Sequence, residues 1–288
     1  MKITSWIALA VLIGASLVLF LHLATTGEDF SRYNAGWTGT SAFFATLDRH
    51  TTDDIRSPAD LGRYTGTTLL VIAPDHPFAA GEGSAYRDFI ARGNTLFLAD
   101  DFGTGPALLR AMGSTIVLRQ ENLSSLDRAF SDPYIVVSYP SADAWPLQVG
   151  SPLLLNEAGT LEGGEPLLES TTFSWEDTMP DRQLGSNESL GRYTVMAREK
   201  IGNGTLIVLS DPSVFINGME DPGYGNAAFR AEIAGHGPVL VDVYSSRVGR
   251  EDATGAFIHF LRSNTAYTLI AAALLMAAVL IAWQRRIL

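Results

Sequence analysis

The sequence contains no cysteine among its 288 residues. Disulfide bonds, cysteine nucleophiles and zinc sites built on thiolates are therefore excluded. Basic residues are the minority, because 20 lysines and arginines stand against 31 aspartates and glutamates, which gives a formal net charge of -11. Nucleic acid presents phosphates and needs a basic surface, so this acidic chain is not expected to bind it.

Several catalytic and nucleotide-binding signatures are also missing. No Gly-x-Ser-x-Gly elbow and no histidine-pair metal motif occur. Gly103-Thr104-Gly105 lacks the third glycine of the dinucleotide fingerprint and the Lys-Ser/Thr of a P-loop. Only His76, beside Asp75, is placed for catalysis, and a surface turn is the simpler explanation for it. The leading prediction is therefore a protein with no catalytic residue, no metal, no cofactor and no nucleotide.

Two uncharged stretches of 18 residues, 6–23 and 266–283, lie near the ends of the chain. As helices they would each span about 27 Å, close to the hydrocarbon thickness of a bilayer. Lys2, Arg285 and Arg286 flank them on the terminal sides. The positive-inside rule then predicts a two-pass protein of the cell membrane, with both termini cytoplasmic and the middle extracytoplasmic. A cleaved signal peptide is the alternative for the first stretch, and a buried core helix for the second.

These features divide the chain into four predicted regions. Residues 1–27 would be an N-terminal transmembrane anchor, and residues 28–249 an extracytoplasmic α/β domain. Residues 250–264 would form a connecting helix, and residues 265–288 a C-terminal transmembrane helix with a short basic cytoplasmic tail. Within the α/β domain, residues 120–192 are rich in glycine, proline, serine and asparagine, which predicts an irregular β-rich insertion.

Three segments of the middle region share one form, in which a threonine is followed by an apolar run and then by aspartate: 68–75, 95–100 and 205–211. Such runs are typical of strands buried on both faces, and their alternation with helices predicts a mostly parallel sheet with right-handed crossovers. If the three strands are neighbours, Asp75, Asp100, Asp101 and Asp211 gather at one edge of the sheet. Open α/β sheets bind ligands at this edge.

The aspartates have two explanations that the sequence leaves open. Clustered carboxylates bind a hard cation or hold a general base, which would make the protein a metal-dependent hydrolase. Aspartates also end strands and cap the next helix, and Asp211-Pro212 has the form of such a cap. A third hypothesis, a glycan- or solute-binding module, uses Trp37, Trp145 and Trp175, for which packing in the core is the competing explanation.

Three motifs occur in order along the middle region. They are Tyr33-Asn34-x-Gly36-Trp37-x-Gly39-Thr40-Ser41, then Gly93-x-Thr95-Leu96-x-Leu98-Ala99-Asp100-Asp101-Phe102-Gly103-x-Gly105, then Asp211-Pro212-Ser213-x-Phe215-x-Asn217 with Asn226 before the following helix. In this order they resemble the family called domain of unknown function 4350.

The resemblance implies a flavodoxin-like sheet akin to class I glutamine amidotransferases, used as a non-enzymatic domain between two transmembrane helices. The missing cysteine agrees with a sheet that has lost the amidotransferase nucleophile. The resemblance also implies a membrane or envelope protein partner, with a role in envelope assembly or quality control. The candidate residues for binding a ligand or partner are Asn34, Trp37, Asp75, Asp100, Asp101, Gly103, Thr104, Gly105 and Asp211.

Overall fold

The computed structural model describes residues 8–9, 11–18, 26–47, 52–127, 130–141, 151–235, 237–251, 255–258, 260 and 265–284. The chain divides into two compact units, Asp29–Arg250 and a second unit made of Met1–Glu28 with Glu251–Leu288. Every candidate residue named above lies in the first unit. Trp145 lies outside the described residues, as do residues 252–254, 259 and 261–264 of the predicted connecting helix.

The strands of the described chain all lie in the unit Asp29–Arg250. They are β1 (Thr52–Ile55), β2 (Thr68–Ile72), β3 (Thr95–Ala99), β4 (Val117–Arg119), β5 (Asn122–Ser125), β6 (Ile135–Pro140), β7 (Leu153–Asn156), β8 (Thr160–Glu162), β9 (Glu165–Ser170), β10 (Ser174–Asp177), β11 (Thr194–Ile201), β12 (Gly204–Leu209) and β13 (Val239–Asp242). The helices are α1 (Ser41–Thr46), α2 (Ala80–Ala91), α3 (Gly105–Met112), α4 (Asn226–Gly235) and, in the other unit, α5 (Thr265–Gln284).

The main sheet follows the order β1-β13-β2-β3-β12-β11-β9-β6-β7, with β8 paired to β11 and β4 paired to β8. The pairs from β1 to β12 are parallel, and every pair beyond β12 is antiparallel. The α/β class is correct, but the prediction of a mostly parallel sheet is wrong, because the sheet is mixed. The direction changes at a tight hairpin between β11 and β12, where Gly202 adopts a φ of +60° that favours glycine.

Residues 120–192 contribute strands β5 to β10. Four of these strands, β6 to β9, extend the main sheet, so this segment does not stand apart from it. Strands β5 and β10 form a separate two-stranded antiparallel sheet. The sequence does not show this pairing, because partners far apart in the chain leave no local periodicity.

The central strands carry side chains into two hydrophobic layers. In β3, Leu96 and Leu98 pack in the layer that contains Phe89 of α2 and Leu108 of α3. Alternate residues of the same strand face the other layer, with Phe97 beside residues of α1 and α4. Each fully buried side chain of this size stabilises the fold by about 1.5–3 kcal/mol, so the sheet is fixed from both faces.

No helix among the described residues has both the length and the apolar character needed to cross a membrane. In α5 the polar residues Thr265, Tyr267 and Thr268 interrupt the beginning, so the continuous apolar run is 269–283, which rises about 22 Å against a hydrocarbon core of about 30 Å. In the first stretch, the longest described helical run is 11–18, or about 12 Å.

The prediction of two flanking transmembrane helices is therefore wrong. The predicted location, with cytoplasmic termini and an extracytoplasmic domain, depended on those helices. The prediction that the chain contacts the membrane through two spans depended on them as well. Both predictions are therefore also wrong. The sequence argument failed because it required only that each 18-residue stretch be uncharged and accepted uncharged polar residues within it.

Strand β7 ends the path of the sheet, and side chains cover its outer edge. Asn226 accepts a hydrogen bond from the Leu154 amide and donates one to the Leu154 carbonyl, both at 2.9 Å. The Asn156 amide donates to Asp211 Oδ2 at 2.7 Å, and the Pro152 carbonyl accepts from the Gly225 amide at 2.8 Å. The start of α4 and the turn after β12 thus take the place of a further strand.

Candidate functional site

The three threonine-led strands are parallel neighbours in a common register. Thr95 of β3 pairs with Thr68 of β2 on one side and with Thr205 of β12 on the other. Each of the three strands runs for five residues from its threonine, so all three end at the same level. The acidic residues that follow β3 and β12 therefore lie at one edge of the sheet. This edge brings together Asp100, Asp101 and Asp211, which we call the strand-end cluster.

The Asp100 side chain holds the glycine-rich turn that follows β3. It is 1% exposed, and its Oδ1 accepts from the Gly103 amide at 3.2 Å while its Oδ2 accepts from the Gly105 amide at 2.6 Å. A Cβ on Gly105 would lie 2.5 Å from Asp100 Oδ2, so only glycine permits this approach. The Thr104 amide donates to the Pro74 carbonyl at 2.9 Å. All three amides of the turn are therefore engaged, which leaves none of them to bind an anion.

The Asp211 side chain caps the turn of 3-10 helix at Pro212–Phe215. It is fully buried, and its Oδ1 accepts from the Ser213 amide at 2.6 Å. Its other oxygen accepts from the Asn156 amide, as described above for β7. The side chain thus has the capping role that the Asp-Pro sequence suggested, and its second oxygen anchors the last strand of the sheet.

Burial raises the pKa of all three acids in the cluster. The pKa of Asp100 and the pKa of Asp211 are each raised to about 7, by burial first and then by the charge of Asp101. Burial raises the pKa of Asp101 to about 6, with Glu157 adding to the rise and Arg247 opposing it. The backbone amides that donate to these carboxylates act in the opposite direction. Burial therefore makes these three carboxylates easier to protonate than an exposed aspartate.

Asp75, the fourth predicted acid, is engaged elsewhere. Its Oδ1 accepts from Arg250 Nη2 at 2.7 Å, and its Oδ2 lies 3.4 Å from Arg247 Nε. The Asp75 amide donates to the Ser245 carbonyl at 3.0 Å. This residue therefore joins the turn after β2 to the segment after β13.

The first and last family motifs are joined by one side chain, Asn217. Its Nδ2 donates to the carbonyls of Asn34 and Gly36, at 3.2 and 2.7 Å, and its Oδ1 accepts from the Ala42 amide at 2.9 Å. Asn34 is itself buried, and its Oδ1 accepts from the Gly36 amide at 2.7 Å. Asn34 therefore shapes the loop from inside and is placed to position Trp37 rather than to bind a ligand.

Trp37 is the exposed member of this loop. Its side chain is 60% exposed, and a Cβ on Gly218 would lie 2.1 Å from its Nε1, so the indole rests on Gly218. Trp37 lines a cavity of about 280 Å³ at the ends of the strands. The cavity is also lined by Phe30, Asp101, Phe102, Glu157 and Arg247. Aromatic rings and carboxylates thus line the same cavity.

Backbone strain is concentrated around this cavity. Phe30, Ala73 and Glu157 line it, and they have φ values of +59°, +47° and +57°. Among the described residues only Arg182 is a further non-glycine residue with positive φ. Such conformations cost about 1–3 kcal/mol each and are found preferentially at functional sites, which marks this cavity as the candidate site.

Across the described residues, no three histidine or acidic side chains converge as a metal site would require. The reason at this edge is that the carboxylates of Asp100 and Asp211 are turned towards backbone amides. His76 lies against the Tyr244 ring with centroids 4.5 Å apart and its Nε2 is 3.9 Å from Glu82, in the manner of a packed surface residue.

Sequence reasoning missed several residues of this cavity. Phe30, Glu157 and Arg247 come from a loop, the turn after β7 and the segment after β13, and no motif joins them. Phe102, which is 43% exposed, lay inside a recognised motif but was not singled out. Of the other predicted tryptophans, Trp175 is 1% exposed and belongs to β10.

Solved structures resemble this chain only distantly. The mmIFT52 N-terminal domain has a TM-score of 0.45 at 14% identity, covering 61% of this chain and 78% of that one. The β-galactosidase from Bacillus circulans sp. alkalophilus has a TM-score of 0.37 at 17% identity, covering 62% of this chain and 24% of its own. The β-galactosidase from Rahnella sp. R3 has a TM-score of 0.36 at 11% identity, covering 59% and 22%. This chain thus spans about a quarter of the length of each β-galactosidase.

No curated protein matches the sequence. The family comparison is more informative, because it covers strands β1 to β12, the strand-end cluster and both motifs joined by Asn217. Residues 32–234 match the family described as Domain of unknown function (DUF4350), and since they make up more than half of the 288 residues, the chain belongs to that family.

Proposed function

We propose that the unit Asp29–Arg250 is a non-enzymatic binding domain, and that its strand-end cavity receives a positively charged group such as a lysine or arginine side chain of a partner protein. The observation that carries this proposal is the pairing of exposed Trp37 and Phe102 with the carboxylates of Asp101 and Glu157 around one cavity. Aromatic faces attract cations, and the attraction is stronger where water is partly excluded.

The charge around the cavity supports a cationic ligand. Arg247 is the basic residue that lines the cavity, and the Arg247 Nε forms an ion pair with Asp75 Oδ2 at 3.4 Å. The acidic residues of the lining are Asp29, Asp100, Asp101 and Glu157. A cation entering the cavity would oppose the rise in the pKa of Asp100, which burial causes first and the charge of Asp101 second, because an opposite charge favours the ionised carboxylate.

Two observations support binding without turnover: the chain has no cysteine nucleophile, and the backbone amides of the strand-end turn already donate hydrogen bonds. Acyl-transfer chemistry needs a nucleophile next to a base and free donors for an oxyanion. The chain has no cysteine, and the three amides of the turn at Gly103, Thr104 and Gly105 already donate to Asp100 and Pro74. The amidotransferase-like character of the domain is part of this proposal, as a sheet of that kind whose strand-end turn serves binding.

A second candidate is a glycan. Trp37 is exposed beside a concave surface that contains carboxylates and the segment of Asn156 and Glu157. A sugar ring could stack on the indole while its hydroxyls donate to the acids. This observation favours the glycan hypothesis over the metal-dependent hydrolase.

The two candidates can be separated by NMR on the ¹⁵N-labelled full chain. The indole signal of Trp37 is identified from its loss in Trp37→Phe. The probes are Nα-acetyl-lysine methylamide, the matched norleucine derivative that lacks the charge, and N-acetylglucosamine. We expect a saturable shift with the lysine derivative, no shift with norleucine, and binding at least about fivefold weaker in Asp101→Asn, a loss of about 1 kcal/mol.

Each outcome has a definite meaning for the proposal. A response to N-acetylglucosamine alone would replace the cation with the glycan. Equal responses to lysine and norleucine would show that charge is not recognised, and silence with every probe would remove this cavity as the binding site.

A further inference from the structure

The β5–β10 sheet contains most of the unsatisfied buried polar side chains of the described chain. Five buried side-chain nitrogen or oxygen atoms have no hydrogen-bond partner, and four of them belong to these two strands. The four atoms are Asn122 Oδ1, Ser124 Oγ, Ser174 Oγ and Trp175 Nε1. Buried polar groups are almost always bonded, so such a concentration in two short strands requires an explanation.

Trp175 connects this concentration to a cavity. It lies directly opposite Ser124 in the antiparallel register, and its side chain is 1% exposed. The indole forms part of the wall of a cavity of about 710 Å³, which lies within the size range of ligand pockets. An indole N–H can only donate, so the missing partner of Trp175 is an acceptor such as a carbonyl oxygen.

The lining of this cavity is mixed, and two of its apolar side chains are partly exposed. Leu126 and Leu184, which also line it, are 49% and 39% exposed. A neighbouring cavity contains Phe173, which is 58% exposed, and the two cavities share Asp127. Exposed apolar side chains next to one another on a folded protein mark sites of interaction. We call Leu126, Phe173, Trp175 and Leu184 together the β5–β10 surface.

Charge distinguishes what would fit this surface. Arg182, the basic residue of the lining, donates to Asp132 at 2.8 Å and lies 4.5 Å above the Tyr134 ring. Its charge is thereby offset, and Asp127 leaves the edge of the cavity acidic. A basic group beside the apolar one would therefore complement the surface.

We propose that the β5–β10 surface docks a segment of a partner protein that carries an apolar side chain next to a lysine or arginine. The apolar side chain enters the cavity beside Leu126 and Leu184, against the wall that the Trp175 indole forms, and the basic side chain faces Asp127. This cavity shares no lining residue with the strand-end cavity, although Arg182 Nη2 lies 3.9 Å from Glu157 Oε1, and the proposal stands whether or not the strand-end cavity binds a cation.

The test begins with a display library of random heptapeptides selected on the full chain. Selection is repeated on Leu126→Asp and on Val117→Asp, a matched variant at another exposed apolar residue, 47% exposed on β4. We expect the enriched peptides to pair an aromatic or aliphatic residue with a basic one. They should bind Leu126→Asp at least tenfold more weakly and Val117→Asp unchanged.

The selected peptide is then titrated into the ¹⁵N-labelled full chain. The indole signal of Trp175, identified from its loss in Trp175→Phe, should shift and saturate, because the apolar side chain of the peptide packs against the wall that the indole forms. Peptides that bind Leu126→Asp equally well, or that leave the Trp175 signal in place, would overturn the proposal.

Discussion

The strand-end cluster and the β5–β10 sheet both contain buried polar side chains, but the two regions differ in how those polar atoms are satisfied. The carboxylates of Asp100 and Asp211 accept from four backbone amides in all. In the β5–β10 sheet, by contrast, Ser124 and Trp175 have side-chain atoms with no partner. The strand-end cluster, which the sequence motifs indicate, therefore stabilises the fold. The β5–β10 sheet, which no motif indicates, contains buried polar atoms without a hydrogen-bond partner.

This difference separates two kinds of polar residue. A carboxylate that accepts several amides contributes to stability and has little capacity left for a ligand. A buried donor without an acceptor costs free energy in the unbound protein, and a partner can recover that cost. The following substitutions test the contrast, beginning with the largest expected effect.

Asn217→Ala should be the most damaging. It removes the bonds to Asn34, Gly36 and Ala42 and leaves the freed backbone groups of a semi-buried loop without partners. We expect a loss of about 2–4 kcal/mol in the free energy of unfolding, measured by urea denaturation. The exposed Asn187→Ala is the control and should change stability by less than about 0.5 kcal/mol. Equal effects of the two substitutions would mean that Asn217 does not join the motifs in solution.

Gly105→Ala should destabilise the protein by about 1–3 kcal/mol, because its Cβ would meet Asp100 Oδ2 at 2.5 Å inside a packed turn. Gly81→Ala is the matched control, since a Cβ at that position of α2 meets nothing within 4 Å. The control should be neutral or stabilising by up to about 1 kcal/mol, as alanine favours the helix. A harmless Gly105→Ala would contradict the tight contact between Asp100 and the turn.

Asp101→Asn should stabilise the protein by about 1 kcal/mol at pH 8, since a pKa change of one corresponds to about 1.4 kcal/mol. The pKa of Asp100 and the pKa of Asp211 are raised to about 7, from an ordinary value near 4, so the folded state binds more protons than the unfolded state between those values. This contribution to stability is complete below about pH 4 and is lost as the pH rises through 7.

In the wild type, these acids therefore favour the folded state as the pH falls from 8 to 5. The gain from Asp101→Asn should shrink over the same range, because Asp100 and Asp211 become neutral and no longer repel Asp101. Urea denaturation of both proteins at pH 8, 6.5 and 5 measures the difference. A gain that is independent of pH would show that Asp101 acts through packing and not through charge.

Ser124→Ala should change the free energy of unfolding least. The direction of the change shows whether the Ser124 hydroxyl has a hydrogen-bond partner. The Ser124 hydroxyl is buried without a partner, so its removal should be neutral or should stabilise the protein by up to about 1 kcal/mol. Ser210→Ala is the contrast, because that equally buried hydroxyl donates to the Gly159 carbonyl at 2.8 Å, and its loss should cost about 1 kcal/mol. A costly Ser124→Ala would mean that its hydroxyl is satisfied and would weaken the comparison.

The sequence predicted the elements whose signals are local. The apolar runs of β2, β3 and β12 were recognisable because each is short, continuous and ended by aspartate, and their register placed Asp100, Asp101 and Asp211 together as expected. The cap at Asp211 was also predictable, because Asp-Pro before a turn has a direct physical cause.

The features that escaped prediction depend on contacts between distant segments. Strands β6 to β9 join the main sheet through antiparallel pairs, which no periodicity in residues 120–192 indicates. Asp75 follows a strand like the others, but it is held by Arg247 and Arg250, more than 170 residues away. Glu157 and Trp175 line cavities through tertiary packing alone. The two uncharged stretches near the ends of the chain were wrongly predicted to span a membrane for a different reason, because the absence of charge was treated as sufficient evidence for a span.

The covered edge of β7 limits how this protein can associate with others. An open edge strand invites another chain to add to the sheet, which leads either to specific augmentation or to aggregation. At β7 the groups that would template such pairing, on Leu154 and Asn156, already bond to Asn226 and Asp211. Loss of the Asn226 amide would uncover the backbone edge of a strand with three consecutive leucines and should open it to pairing with another chain.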